Sequence, residues 1–145
     1  MFWFDKQNPH VLYCDNRELE CELCDGRKFK IKPDVLCDFR QLPFEDETFW
    51  HVVFDPPHIT QGGDSAWIIK KYGKLPKEWG EYLKLGFDEC WRVLKINGTM
   101  VFKWNEDSIT VGEIIKAIGR EPLYGHKSGR TAKTHWLCFI KVEEN

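Results

Sequence analysis

The order of apolar and polar residues along the chain predicts most of its elements. Residues 10–14 form a short apolar run ending at Asp15, and residues 34–37 form another ending at Asp38. Between them, residues 18–24 and 27–32 alternate polar with apolar, the two-residue period of a strand. Asp25-Gly26 joins these arms. An Asp-Gly pair between alternating runs is a strong hairpin signal. Pro33 ends the second arm. Residues 50–54 read as a buried strand that stops at Asp55-Pro56-Pro57-His58. Two consecutive prolines donate nothing to a ladder, so the chain leaves the sheet there. At the start, residues 2–5 are expected to form a helical turn or an ordered end, stopped by Pro9.

The second half changes period. After Pro76, the residues Trp79, Tyr82, Leu83, Leu85, Phe87, Cys90, Trp91 and Leu94 recur mostly at steps of three and four. That spacing predicts a helix with one wide apolar face. Asn97-Gly98 is expected to cap and turn it. Residues 99–103 read as a strand, 111–118 as a helix stopped by Gly119, and 136–142 as the final strand. Residues 42–46 and 61–63 read as loops. Strands separated by helices favour a parallel or mostly parallel α/β sheet. Such sheets bind ligands outside the carboxyl ends of their strands.

Composition narrows this picture. The 145 residues suit a single domain spanning 1–145, and 42% hydrophobic with 14% aromatic residues exclude a disordered chain. No apolar run approaches the ~20 residues of a membrane helix. The N-terminus has no basic start and no apolar core, so a signal peptide is not expected and a cytoplasmic protein with reduced thiols is. A net charge of −2 gives no global attraction to nucleic acid, which would need a local patch. Cys14, Cys21, Cys24 and Cys37 include a CxxC pair, the type of spacing found in zinc sites. Cys14 and Cys37 fall inside strand-like runs, where four ligands converge poorly. His126 and His135 lack the spacing of a helical metal pair. No metal site is expected.

The chemistry concentrates at the strand ends. Asp15, Asp38 and Asp55 each follow an apolar run, so a parallel sheet would place all three along one edge. A carboxylate there accepts hydrogen bonds from ribose hydroxyls or an adenine amino group. Aspartate is also common at strand ends simply because it satisfies turn backbone. Two basic stretches follow. Lys70, Lys71 and Lys74 lie beside Trp67 and Tyr72, an alternation suited to single-stranded nucleic acid. Residues 125–133 read as a mobile basic loop that either contacts phosphates or is merely solvated; from Lys116 to Lys133 the only acidic residue is Glu121.

The motif Asp55-Pro56-Pro57-His58 resembles the Asp/Asn-Pro-Pro-aromatic motif of amino-directed methyltransferases that use S-adenosyl-L-methionine. Residues 38–55 resemble the stretch joining the third and fourth strands of class I methyltransferases, and residues 91–103 resemble their helix into the fifth strand. Small phage-like bacterial members also carry Phe102-Lys103-Trp104-Asn105-Glu106 and Lys133-Thr134-His135-Trp136. The resemblance runs from Val11 onward. It implies a Rossmann-like sheet, mostly parallel with an antiparallel last strand, here with a small β-hairpin insertion. Nothing in the chain matches the family's first strand and glycine-rich loop. The sheet is therefore expected to lack its first strand, and its exposed edges would favour a homodimer.

By this resemblance, Asp55 and the Pro56 carbonyl would accept the two hydrogens of an exocyclic amine, whose lone pair is otherwise delocalised into the ring. Pro57 would help fix the backbone. His58 stands where Tyr or Phe is more usual; it would stack on the target base. Asp15 would bind the cofactor ribose, Asp38 the adenine amino group, and Phe39 would neighbour the adenine ring. Asp55 also borders the cofactor. Lys103, Trp104, Lys133 and His135 would contact the substrate, either DNA or RNA. A protein amide, a small molecule, or a silent binding role are the alternatives.

Overall fold

A computed structural model describes residues 3–23, 25–64, 66–129 and 131–143. Phe2, Cys24 and Arg130 lie outside the described residues. The first unit is small. Strand β1 (Cys14–Asp15) pairs in parallel with β4 (Val35–Leu36), and between them β2 (Leu19–Glu22) and β3 (Lys28–Ile31) form an antiparallel hairpin. The predicted turn places Gly26 at φ 79°, the left-handed region where a side chain is strained. β1 is shorter than the apolar run 10–14, because the Val11 N–H donates to the Asn8 carbonyl in a turn.

The larger sheet contains β5 (Phe49–Phe54), β6 (Leu94–Asn105), β7 (Tyr124–Lys127) and β8 (Thr134–Ile140), in the order β5-β6-β8-β7. β5 and β6 are parallel, and β8 runs antiparallel to both β6 and β7. Three strands thus share one direction and the last strand opposes them. Among the described residues, no strand pairing joins β1–β4 to this sheet.

Alternation along β6 buries Met100, Phe102 and Trp104 almost completely. Against them pack Leu83, Phe87 and Cys90 of α2 (Trp79–Val93) and Ile114 and Ile118 of α3 (Val111–Ile118). The Phe87 ring lies 5.1 Å from Phe139 and 6.3 Å from Phe102, both edge-on. Burying each such side chain contributes roughly 1.5–3 kcal/mol. α3 is delimited as the sequence predicts. Thr110 and Glu113 form a capping box at its start, and Gly119 at φ 73° closes it. No helix is long and apolar enough to cross a membrane among the described residues.

Three expectations need correction. Asn97-Gly98 does not cap α2; β6 follows that helix directly and the pair forms a bulge inside the strand. The register jumps from Phe49↔Leu94 to His51↔Thr99, and Asn97 takes φ 64°. A Cβ on Gly98 would lie 2.8 Å from the Lys95 carbonyl oxygen and 2.9 Å from that of Trp50. Second, α1 (Trp67–Tyr72) forms beyond the glycine loop, where no element is predicted. Third, the first three residues of the expected mobile loop belong to β7, with His126 opposite Trp136. All four β7 residues are exposed, so no apolar alternation announces the strand.

Candidate active site

The site starts where β5 ends. Phe54 is buried, and the next residue, Asp55, turns its carboxylate toward β6. The Lys103 ammonium donates to both carboxylate oxygens at 3.1 Å. Lys103 follows Phe102, the register partner of Phe54, so the sheet itself sets this pair side by side. Across the other side of β6, Lys103 pairs in register with Trp136, and its ammonium lies 5.9 Å from that ring. The Trp136 indole N–H in turn donates to Ser128 Oγ at 2.7 Å.

Pro56 is buried, and Pro57 packs on the end of α1. A Cβ on Gly73 would come within 3.0 Å of Pro57 Cγ, and Gly73 takes φ 79°. Only glycine tolerates both demands. His58 sits in an aromatic recess, its ring centroid 6.0 Å from Tyr72 and 6.3 Å from Trp104. Burial pushes the His58 pKa below its ordinary value, with Asp55 partly opposing. The ring is therefore neutral at neutral pH.

Asp15 and Asp38 each hold the second residue onward. The Arg17 backbone N–H and Nε donate to Asp15 Oδ1 at 3.0 and 2.9 Å, and a guanidinium nitrogen donates to Oδ2 at 3.0 Å. The Arg40 backbone N–H donates to Asp38 Oδ1 at 2.8 Å, and its guanidinium reaches Oδ2 at 2.6 Å. The Arg40 guanidinium beside Asp38 holds that carboxyl below its ordinary range. Arg40 also lies over the Tyr82 ring, 4.7 Å from the centroid.

Packing connects the three strand ends. Arg17 donates to the Lys70 carbonyl at 3.0 Å, which ties Asp15 to α1 and so to the Pro57–Gly73 contact. Phe39 ties Asp38 to β5, with its ring 5.2 Å from Phe54 and 4.9 Å from Tyr82. That ring lies over Gly86 of α2, where a Cβ would meet it at 2.3 Å. Phe39 is thus wedged onto the core beside Asp38.

The expected substrate contacts are placed differently from one another. Trp104 is 1% exposed and its indole N–H donates to the Ile109 carbonyl at 2.9 Å. It is a wall behind His58, not an exposed surface. Lys133 pairs with Asp107, and Lys127 donates to Glu106 at 2.7 Å. His135 Nε2 lies 2.9 Å from the same Glu106 oxygen, at ion-pair distance but outside hydrogen-bond geometry. Lys127 and His135 hold the Glu106 carboxyl down to about 2. The basic loop is therefore matched by acidic residues of the β6–α3 turn, which are remote in sequence. The other basic stretch keeps Lys71 over Tyr72, 5.0 Å from its centroid. Beside it opens a cleft of about 630 Å³ lined by Thr60, Gln61, Lys74, Lys77, Trp79 and Ser108. It adjoins the loop after His58 and does not include Asp15, Asp38 or Asp55.

Sequence reasoning missed Arg17 and Arg40, although the Asp-x-Arg spacing at 15–17, 25–27 and 38–40 carries the signal. It also missed Gly86 beneath Phe39, and the places of Tyr72 beside His58 and Tyr82 beside Phe39, which only the packing reveals. Among the described residues, no three His, Cys, Asp or Glu side chains converge as a metal site.

No family model and no curated protein matches the chain. One solved structure is similar in fold: a "Putative DNA Modification Methylase" from Thermus thermophilus, complexed with S-adenosyl-L-methionine. The identity is 16% and the TM-score 0.51, over 74% of this chain and 54% of that one. The chain thus spans about half the length of its structural neighbour. The likeness is one of fold: a mixed α/β sheet with packed helices.

Proposed function

We propose that the chain, acting as one domain, transfers a methyl group from S-adenosyl-L-methionine to an exocyclic amine of a nucleobase in DNA or RNA. The observation that carries this reading is Asp55-Pro56-Pro57-His58 at the end of β5, packed beside the ends of β1 and β4 that bear Asp15 and Asp38. The neighbour with the same fold holds this cofactor. The donor set fits in kind. A ribose diol and an adenine amino group need acceptors, and carboxylates offer about four acceptor positions each. Asp15 and Asp38 already give several of these to Arg17 and Arg40, so binding exchanges part of the arginine contacts.

When bound, the cofactor supplies an electrophilic methyl group. The chain's own residues orient the acceptor. Asp55 and the Pro56 carbonyl accept the amine hydrogens and favour the pyramidal form in which the lone pair points at the methyl group. The prolines fix φ and hold that carbonyl in place. Neutral His58 stacks on the base in its recess of Tyr72 and Trp104. A base in a duplex must first be flipped out. The flanking strand crosses Lys70, Lys71 and Lys74, with Trp67 and Tyr72 as stacking surfaces. The protein works in the cytoplasm, and the open edges of β1 and β5 favour a homodimer.

A second reading rests on the separation of the β1–β4 pair from the larger sheet. If a first strand is missing between them, cofactor binding is lost and the chain is a methyltransferase-like binding module. Isothermal titration with S-adenosylmethionine and S-adenosylhomocysteine separates the two. Micromolar binding, about −8 kcal/mol, supports the enzyme, and labelled-methyl transfer to DNA, RNA and protein then identifies the acceptor. Absence of binding up to millimolar concentrations overturns the enzyme reading.

A further inference from the structure

We propose that Lys103 is the positioning residue for the Asp55 carboxylate, and that it does not contact substrate phosphate. This role rests on the reading of Asp55 as the acceptor of the amine hydrogens. An aspartate carboxylate turns about its last side-chain bond in a broad, two-fold well. Among the described residues, no backbone N–H donates to the Asp55 carboxylate to settle that angle. Lys103 settles it, because its ammonium is 3.1 Å from both oxygens at once. The lysine is restrained in turn. It arises from β6 at the register position next to Asp55, it stands between Asp55 and Trp136, and its side chain is 24% exposed. Trp136 lies 5.9 Å away and is anchored on Ser128. The chain Ser128–Trp136–Lys103–Asp55 thus runs from the β7–β8 connection to the reacting carboxylate.

The ammonium is directed at Asp55, equidistant from its two oxygens. A phosphate anchor has the opposite build: it is exposed and directed outward. In this site Lys103 points along the sheet to its neighbour strand. Two acceptor positions are used, so two remain on the carboxylate for the incoming amine. The expected gain is geometric, since small misplacement of a reacting group costs on the order of 100-fold in rate.

The test compares Lys103→Met and Lys103→Arg with the parent protein in three measurements. The first is the ¹³C carboxyl resonance of Asp55, read on the isolated protein. The second is oligonucleotide affinity at several salt concentrations. The third is kcat and KM for methyl transfer. A positioning role shifts the Asp55 resonance in Lys103→Met, leaves affinity and its salt slope unchanged, and lowers kcat by about 10- to 100-fold. Lys103→Arg, which can also grip both oxygens, recovers most of kcat. An unchanged resonance overturns the role. So does a loss of affinity with a shallower salt slope and unaltered kcat, the signature of a phosphate contact. Full kcat in Lys103→Met, with an active parent, overturns the role alone. No transfer by the parent to any acceptor overturns the reading of Asp55 and the role with it.

Discussion

Asp15 and Asp38 differ from Asp55 in where their partners come from. The first two are held by the residue two positions on, through both its backbone N–H and its guanidinium. The hairpin turn repeats this at Asp25 with Arg27. Such a pairing is a local turn device and forms with little help from the fold. Asp55 instead takes Lys103, 48 residues away, and exists as a pair only once β5 and β6 are zipped in register. The contrast teaches that strand-end aspartates of one type can be held either by their own turn or across the sheet. It is the non-local pair that marks a side chain the fold has gone out of its way to orient.

The largest way to break that contrast is at Asp55. Asp55→Ala should cut methyl transfer by a hundred- to a thousand-fold or more while leaving the thermal midpoint within a few degrees. The pair it removes is partly exposed, and such pairs contribute about 0–1 kcal/mol. Transfer at the parent rate in this variant would remove Asp55 from the chemistry.

Next comes the packing that ties Asp38 to the core. Gly86→Ala puts a methyl group 2.3 Å from the Phe39 ring, which is wedged between Phe54 and Tyr82. Overpacking of this kind costs about 1–3 kcal/mol, more than the ~1 kcal/mol that alanine gains over glycine in a helix. The urea midpoint should fall. A midpoint that rises by the helix preference of alanine would show that the Phe39 ring yields freely and that its wedging contributes nothing.

These tests follow the line between what the chain announces and what it conceals. The hairpin at Asp25-Gly26, the period of α2 and the limits of α3 are written locally, in alternation, spacing and caps, and the structure places them there. β7 is not written, because a fully exposed edge strand has no apolar period to display. Asn97-Gly98 looks like a helix cap because its backbone preference is the same in a bulge; only the close carbonyls of Lys95 and Trp50 distinguish them. The site divides in the same way. Asp15, Asp38 and the Asp55-Pro56-Pro57-His58 run stand out as residue types at strand ends. The matching of Lys127, Lys133 and His135 by Glu106 and Asp107 does not, since the acids sit across a helix and two loops in sequence. A charge count along 116–133 therefore overstated the free basic surface.

A smaller effect separates turn from ligand at Asp38. Asp38→Asn keeps an oxygen for the Arg40 N–H but loses the charge; Asp38→Ala loses both. The alanine variant should cost about 0.5–1.5 kcal/mol of stability, and the asparagine variant less. Both should weaken S-adenosylmethionine by about ten-fold, or 1.4 kcal/mol. Equal affinity in all three proteins, by titration calorimetry, would confine Asp38 to turn chemistry. The pH dependence has a fixed sign. The Asp38 pKa is lowered in the folded state, so its contribution is present above the ordinary carboxylate range and is lost as pH falls through the depressed value.

The subtlest prediction concerns His58, whose titration belongs to the non-local side of the comparison. Its pKa falls because the ring is packed among Tyr72 and Trp104, an arrangement that exists only when β5, β6 and α1 are assembled. Its resonances in proton NMR should therefore titrate below 6.5, the ordinary histidine value. In the unfolded chain it takes up a proton first as pH drops, so the unfolded state binds more protons there. Stability from burying the neutral ring is complete above the ordinary histidine value. It is lost as pH falls from that value through the depressed one. A base stacked on His58 buries the ring further, so adding an oligonucleotide should lower the midpoint again. A midpoint that rises on adding oligonucleotide would mean that the ring meets phosphate as a cation. His58 would then grip the acceptor's backbone, leaving Tyr72 to stack.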